Sequence, residues 1–117
     1  MKPETGADRY ARYTRLKFER PAAGVLRILM SNPGRLNAAD ADMHRELAEI
    51  WRDVDADPDV RCAILTGEGA AFSAGGDFEM IQEIVDDFET RARMFKEARD
   101  IVYNVINCSK QIGRAHV

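Results

Sequence analysis

The sequence predicts a mixed α/β fold in which helices pack against a sheet. Short apolar runs alternate with long amphipathic stretches along the 117 residues. The run Cys62–Leu65 is wholly apolar, which is typical of a strand that is covered on both faces. A loop of Gly, Ala and Ser then joins this strand to a helix start at Asp77. The order is therefore strand, strand, helix, strand, loop and helix.

The first two strands are predicted to form a β-hairpin. Residues 13–19 alternate loosely, with Leu16 and Phe18 on one face. Residues 20–24 read Arg-Pro-Ala-Ala-Gly, a composition that favours a turn. Residues 25–30 are a second apolar run, and they supply the partner strand.

A long helix is predicted after the break at Ser31–Gly34. Asn37 is a plausible N-cap, and the helical pattern continues to about Asp55. One apolar stripe is expected to face the sheet and consists of Met43, Leu47, Ile50, Trp51 and Val54.

The third strand is predicted at Val60–Leu65, and two helical segments follow it. Asp77 begins a short helix, and a longer one covers residues 87–107. We expect the inner face of the longer helix to consist of Phe95, Ala98, Val102 and Val105 or Ile106.

The loop between Leu65 and Asp77 is the strongest candidate for a functional site. Small residues leave backbone N–H groups approachable, and Gly75-Gly76 directly precede the positive end of a helix. Such groups bind an anion, or an oxygen that becomes anionic during a reaction. We expect Phe72 to anchor the loop to the core. A plain strand–helix connection remains the alternative.

A dinucleotide-binding loop is disfavoured at this position. Gly67-Glu68-Gly69 resembles the start of a Gly-x-Gly-x-x-Gly motif, but the third glycine position holds Phe72. A bulky side chain there would spoil the close packing of helix on strand.

Composition excludes several classes of partner. The 17 basic and 20 acidic residues give a net charge of −3, so no basic field for nucleic acid is expected. No apolar run approaches the roughly 20 residues that span a bilayer, so no membrane partner is expected. Cys62 and Cys108 do not have the spacing of metal ligands, and no metal is predicted. We expect a cytoplasmic location.

Two segments together resemble the enoyl-CoA hydratase/isomerase (crotonase) superfamily. They are Asn-Pro-Gly-Arg-Leu-Asn-Ala at residues 32–38 and Leu-Thr-Gly-Glu-Gly-Ala-Ala-Phe-Ser-Ala-Gly-Gly-Asp at residues 65–77. The resemblance implies a crotonase-like ββα spiral, truncated after its first repeats. Residues 13–110 would be the N-terminal part of that domain, residues 1–12 a flexible leader and residues 111–117 a non-native tail.

The resemblance also implies chemistry on a coenzyme A thioester, with no prosthetic group. In that family two backbone N–H groups hold the thioester oxygen as it becomes an enolate oxygen, and Gly76 occupies the position of the first donor. The full-length protein is expected to be a homotrimer or hexamer with acyl-CoA as its substrate. The implied substrate-binding residues are Arg35, Leu36, Ala38, Ala74, Gly76, Asp77 and Phe78.

Other readings of these residues stay open from the sequence. Asp77 fits a helix N-cap better than a catalytic acid. The second N–H donor and the acid/base carboxylates of the family would come after the last residue of this sequence. An enoyl-CoA hydratase or isomerase is therefore one interpretation. A catalytically inactive truncated fragment and a simple phosphate- or nucleotide-binding α/β module are the alternatives.

Overall fold

A four-stranded sheet organises the chain in the computed structural model, which describes residues 9–115. The strands lie side by side in sequence order. They are β1 (Leu16–Ala22), β2 (Val25–Met30), β3 (Cys62–Gly67) and β4 (Gln111–Arg114). Three helices accompany the sheet, namely α1 (Ala41–Ala56), α2 (Phe78–Asp86) and α3 (Phe88–Asn107). The predicted mixed α/β class is confirmed.

The predicted hairpin is present, with β1 antiparallel to β2 and Leu16 opposite Met30. Strand β1 continues to Ala22, further than the sequence predicts. A register shift between Glu19 and Ala22 lets the chain pair again after the irregularity. The turn is therefore tighter than expected, and Gly24 takes the positive φ of 78° that it needs.

Strands β2 and β3 run parallel, with Val25 opposite Cys62 and Met30 opposite Gly67. Helix α1 makes the crossover between them. Parallel strands end at the same edge of a sheet. The segments that follow Met30 and Gly67 therefore emerge side by side, and Glu68 N–H donates to the carbonyl of Met30 over 2.9 Å.

Helix α1 begins later than predicted, because its N-cap is Asp40 and not Asn37. The Asp40 carboxylate accepts a hydrogen bond from Met43 N–H at 2.9 Å. Asn37 instead has a left-handed backbone, with φ of 57°, which no helix start requires. The predicted apolar stripe is confirmed, since Leu47 packs on the core and the other members are buried, namely Met43, Ile50, Trp51 and Val54.

The core extends into the segment that the sequence assigns to a leader. Tyr10 is buried, stacks on Phe18 with ring centroids 4.7 Å apart, and donates its hydroxyl to Asp57 at 2.7 Å. Residues 1–8 of the predicted leader lie outside the described residues. The packed unit therefore begins upstream of the predicted start at Tyr13.

The predicted inner face of α3 is wrong except at Val105, which packs against the core. Met94 and Asn104 are its buried residues, whereas Phe95, Val102 and Ile106 are exposed. The packing of α3 on α1 includes a buried hydrogen bond, since Asn104 Nδ2 donates to the carbonyl of Ala48 at 2.7 Å. Exposed apolar side chains occur along both α2 and α3, namely Phe78, Ile81, Val85, Phe88, Phe95, Val102, Tyr103 and Ile106.

Residues 111–114 form β4, although the sequence predicts no regular element there. They pair parallel with β3, and Ile112 packs against the core. The guanidinium of Arg114 lies 4.1 Å from the ring centroid of Phe72. Two residues of the predicted tail, 116 and 117, lie outside the described part of the chain. Among residues 9–115, no helix has the length and apolar character that crossing a bilayer demands.

Candidate active site

Two loops meet at the carboxyl edge of the parallel strands. The first site loop (residues 31–40) follows β2, and the second site loop (residues 68–77) follows β3. Phe72 packs against the core from the second site loop, which confirms the predicted anchor. The register of β2 and β3 therefore fixes where the two loops face each other.

A short ladder of backbone hydrogen bonds joins the two loops. Ala74 N–H donates to the Leu36 carbonyl at 3.0 Å, and Ala39 N–H donates to the Gly75 carbonyl at 2.7 Å. Asp77 N–H donates to the Ala39 carbonyl at 2.8 Å, which completes a parallel bridge between Ala39 and Gly76. In such a bridge the central residue's own N–H and C=O point away from the partner strand. The Gly76 amide is thus turned out of the ladder.

The Gly76 N–H has no hydrogen-bond acceptor among residues 9–115. A cavity of about 300 Å³ lies beside it. An exposed backbone donor next to a cavity can receive an oxygen atom from a ligand. The cavity is lined by Arg35, Ala38, Ala74, Gly76, Asp77 and Phe78.

The geometry brings together six of the seven residues that the sequence singles out for substrate binding. Leu36, the seventh, is on the first site loop but does not line the cavity, and 68 % of its surface is exposed. It has a positive φ of 53°, an uncommon backbone for a branched residue. Such strain is found at functional loops.

Asp77 is the N-cap of α2, as the sequence predicts. Its side chain is only 4 % exposed and accepts hydrogen bonds from Glu79 N–H at 2.8 Å and Arg35 Nη1 at 2.7 Å. The Glu79 backbone bond and the Arg35 guanidinium hold the pKa of the Asp77 carboxyl below its usual value. An ionised carboxylate that accepts two hydrogen bonds is a poor proton donor, so this geometry gives Asp77 a structural role.

Arg35 closes one side of the cavity with a half-exposed guanidinium. Besides Asp77, it lies 3.6 Å from the Glu79 carboxylate. The hydrogen bond to Asp77 raises the pKa of Arg35, so its positive charge is permanent. Part of the guanidinium remains open to solvent and can meet an anionic group of a ligand.

The sequence does not predict that two buried asparagines hold the first site loop together. Asn32 Nδ2 donates to the Ala38 carbonyl at 2.7 Å, and Asn32 N–H donates to Asn37 Oδ1 at 3.0 Å. The useful signal was two asparagines flanking a Pro-Gly turn, because Asn bonds to nearby backbone groups and tolerates left-handed conformations.

Other polar residues stand apart from the cavity. His44 Nδ1 lies 2.8 Å from Glu97 between α1 and α3, and Glu68 pairs with Lys17 at 2.9 Å. Glu79 and Glu83 are exposed on α2. Within residues 9–115, no three His, Cys, Asp or Glu side chains cluster closely enough to hold a metal ion.

Fold and site together define an α/β protein with a backbone-amide pocket at a sheet edge. Residues 20–112 match the profile of the family described as enoyl-CoA hydratase/isomerase. The chain belongs to the enoyl-CoA hydratase/isomerase family.

Individual relatives agree with this assignment. The chain is 42 % identical over 59 residues to mevalonyl-coenzyme A hydratase SIDH of Beauveria bassiana, a match to 50 % of this chain and 21 % of that protein. It is 43 % identical over 54 residues to 1,2-epoxyphenylacetyl-CoA isomerase of Escherichia coli, covering 46 % of this chain and 21 % of the relative.

A solved structure gives the same fold. The crystal structure of an enoyl-CoA hydratase/isomerase from Mycobacterium paratuberculosis superposes with a TM-score of 0.81 and 34 % identity. The match covers 87 % of this chain and 41 % of the other. The crotonase-like fold is therefore confirmed for a chain that spans about two fifths of that protein.

Proposed function

We propose that this chain forms part of an enzyme that binds an acyl-CoA and stabilises the enolate of its thioester. The observation that carries the proposal is the unpaired Gly76 N–H beside the cavity. When water adds to the β carbon of a 2-enoyl thioester, or when a proton is removed during migration of the double bond, negative charge builds on the carbonyl oxygen. A fixed N–H aimed at that oxygen stabilises the charged state more than the neutral one.

The hydrogen-bond ladder between the loops supports this role for Gly76. Its neighbours Gly75 and Asp77 each form a backbone hydrogen bond with Ala39, at 2.7 and 2.8 Å. These bonds hold the Gly76 amide in place, although its own N–H makes no hydrogen bond among the described residues. A donor that is already oriented needs little reorganisation when charge develops. A second N–H donor from the remainder of the family fold would complete the oxyanion hole.

The residues that line the cavity would bind the coenzyme A part of the substrate. We assign the carbonyls of Ala38 and Ala74 to the adenine and the Arg35 guanidinium to phosphate groups. The Ala38 carbonyl accepts from Asn32, which leaves one lone pair for a ligand. Leu36 and Phe78 are exposed apolar side chains at the ends of this region, and they offer contact surface to the ligand.

The proposed reaction is hydration of a 2-enoyl thioester or migration of its double bond. Both reactions pass charge onto the thioester oxygen, so both need the same donor. The named relatives include a hydratase and an isomerase that carry coenzyme A in their names. We propose that the described residues form the N-terminal part of such a domain, in a full-length homotrimer or hexamer.

Replacing Gly76 tests the proposal in the full-length protein. Gly76→Pro removes the N–H, and turnover of crotonyl-CoA is expected to fall by about 10²–10³ or more. Gly76→Ala keeps the N–H, and its Cβ meets only flexible side-chain atoms, those of Ile81 at 3.3 Å and of Met80 at 3.5 Å. Turnover should therefore suffer far less in Gly76→Ala. Undiminished turnover in Gly76→Pro would remove Gly76 from the mechanism.

A second candidate is that the 117-residue chain alone is catalytically inactive. The exposed apolar side chains of α2 and α3 favour this reading, because Phe78, Phe88 and Ile106 are 88 %, 75 % and 74 % exposed. Such surfaces are normally covered in a finished protein. Purified chain should then show no hydration of crotonyl-CoA above background, and should associate with itself. Robust hydratase activity would refute this candidate.

A further inference from the structure

We infer that Asn37 is a positioning residue, which holds the second site loop so that the Gly76 amide faces the cavity. The inference rests on the proposed function of Gly76. It concerns a side chain that does not line the cavity and that the sequence assigns to a helix cap.

The Asn37 side chain is buried, and both of its polar atoms form hydrogen bonds with the two site loops. Its Nδ2 donates to the carbonyl of Glu68 at 2.9 Å and to that of Ala71 at 2.8 Å. Its Oδ1 accepts from Asn32 N–H at 3.0 Å. An amide nitrogen has two hydrogens, so both are used by the second site loop.

The main chain of Asn37 extends the same contact towards Gly76. Its carbonyl accepts a hydrogen bond from Ser73 Oγ at 2.9 Å, and Ser73 Oγ accepts one from Gly75 N–H at 3.1 Å. Asn37 therefore bonds directly to Glu68, Ala71 and Ser73 of the second site loop, and through Ser73 it is linked to Gly75, the residue before Gly76.

The shape of the loop explains why a donor with two hydrogens is needed at this point. A Cβ on Gly67 would overlap the carbonyl oxygens of Ala71 and Phe72, so the loop folds back tightly on the end of β3. The carbonyls of Glu68 and Ala71 then converge on one point, where their dipoles repel. The Asn37 amide lies between them and neutralises that repulsion.

The backbone of Asn37 also suits this residue type. Its φ of 57° lies in the left-handed region, where Asn and Asp are several-fold enriched over other residues with a Cβ. Asn37→Asp can therefore keep the backbone and the size of the side chain while it removes both N–H donors. Asn107→Asp is the matched control, because Asn107 Nδ2 donates to a backbone carbonyl at an exposed helix end.

The first arm of the test needs no ligand. Amide signals of the chain labelled with ¹⁵N-glycine are compared by NMR between the wild type and the two variants. We expect Asn37→Asp to shift the signals of Gly69, Gly75 and Gly76 while Gly24 and Gly113 stay in place. Asn107→Asp should move none of the five. Unmoved Gly75 and Gly76 signals in Asn37→Asp would overturn the inference, whatever the chain binds.

The second arm uses crotonyl-CoA and free coenzyme A as probes. In the wild type, crotonyl-CoA should shift the Gly76 amide further than coenzyme A does, because only the former has a thioester carbonyl that accepts the Gly76 hydrogen bond. We expect Asn37→Asp to bind coenzyme A as the wild type does but crotonyl-CoA roughly tenfold more weakly. Equal weakening of both probes would indicate a merely structural role and would overturn the inference.

The two ideas fail in different ways. A wild-type Gly76 amide that ignores crotonyl-CoA would overturn the proposed function, and the positioning inference would fall with it. If Asn37→Asp does not fold by circular dichroism, Ser73→Ala takes its place with Ser109→Ala as control. Ser73→Ala removes only the hydroxyl between Asn37 and Gly75, and it must show the same selective loss for crotonyl-CoA.

Discussion

The Arg35 guanidinium donates to the buried Asp77 carboxylate at 2.7 Å, which ties the first site loop to the start of α2. The two residues are 42 positions apart in sequence. Their ion pair spans the side of the cavity next to the Gly76 amide. A cationic group thus stands close to a bare backbone donor, an arrangement that favours a ligand with both an anionic group and a carbonyl oxygen.

Removing Arg35 should weaken binding of coenzyme A through its phosphates. The guanidinium is half exposed, so we expect Arg35→Ala to reduce affinity roughly three- to fivefold and to lessen the dependence on salt. Arg27→Ala is the control, because Arg27 pairs with Glu19 on the hairpin, away from the cavity. Calorimetric titrations at two ionic strengths measure the effect. Equal affinities for wild type and Arg35→Ala would remove Arg35 from the ligand contact.

Asp77 should make the stability of the chain depend on pH in the acid range. Its folded-state pKa is lowered by the Glu79 backbone bond and by Arg35, so its contribution is complete above the unfolded value of about 4. That contribution is lost as pH falls from about 4 through the lower folded value.

The variant Asp77→Asn should therefore give a flatter curve of unfolding free energy against pH below about 4. Asp42→Asn makes the same change of charge at an exposed position of α1 and serves for comparison. Urea titrations between pH 2 and 6 provide the curves. If the unfolding free energy of Asp77→Asn varied with pH as steeply as that of the wild type, the ionised Asp77 carboxylate would not stabilise the folded state.

Gly67 should tolerate no side chain. A Cβ there would overlap the carbonyl oxygens of Ala71 and Phe72 and would lie 2.8 Å from Asn37 Nδ2. Because backbone atoms must move, Gly67→Ala is expected to cost about 1–3 kcal/mol of unfolding free energy, or to displace the second site loop. Gly113→Ala is the control, since its Cβ would meet nothing within 4 Å. Equal melting temperatures for the two variants would contradict the tight loop.

Asn104 should contribute to the docking of α3 on α1. Its side chain is buried and donates to the Ala48 carbonyl at 2.7 Å. We expect Asn104→Ala to lower the unfolding free energy by about 0.5–1.5 kcal/mol, the usual net value of one such hydrogen bond. Asn107→Ala makes the same replacement at an exposed site and should change the unfolding free energy less. The opposite ranking in denaturant titrations would refute the role of Asn104.

Local patterns predict the elements that have one clear apolar side. Strand β2 is found at the predicted residues 25–30, and the stripe of α1 faces the core as expected. Both depend on apolar periodicity within a single segment, which the sequence displays directly. The anchoring of Phe72 is also predicted locally, because Phe72 is a large apolar residue in a loop of small and polar residues.

Where a segment allows two similar local structures, the sequence does not predict which one forms. Asn37 and Asp40 are both good N-caps, and the bridge between Ala39 and Gly76 decides in favour of Asp40. Helix α3 has apolar residues on two sides, and a polar residue, Asn104, lies on the buried one. Contacts from elements distant in sequence settle both cases. The absence of an acceptor for the Gly76 N–H also depends on such a contact, the bridge between Ala39 and Gly76.

The crossover through α1 has a consequence for when the cavity can exist. Asn37 and Ala71 are separated by 34 positions, and they meet only after β3 has paired with β2. Contacts of such long sequence separation form late in folding, once loop-closure entropy has been overcome. The cavity should therefore appear with the final cooperative step of folding, and partial melting of the sheet should abolish ligand recognition before the helices unravel.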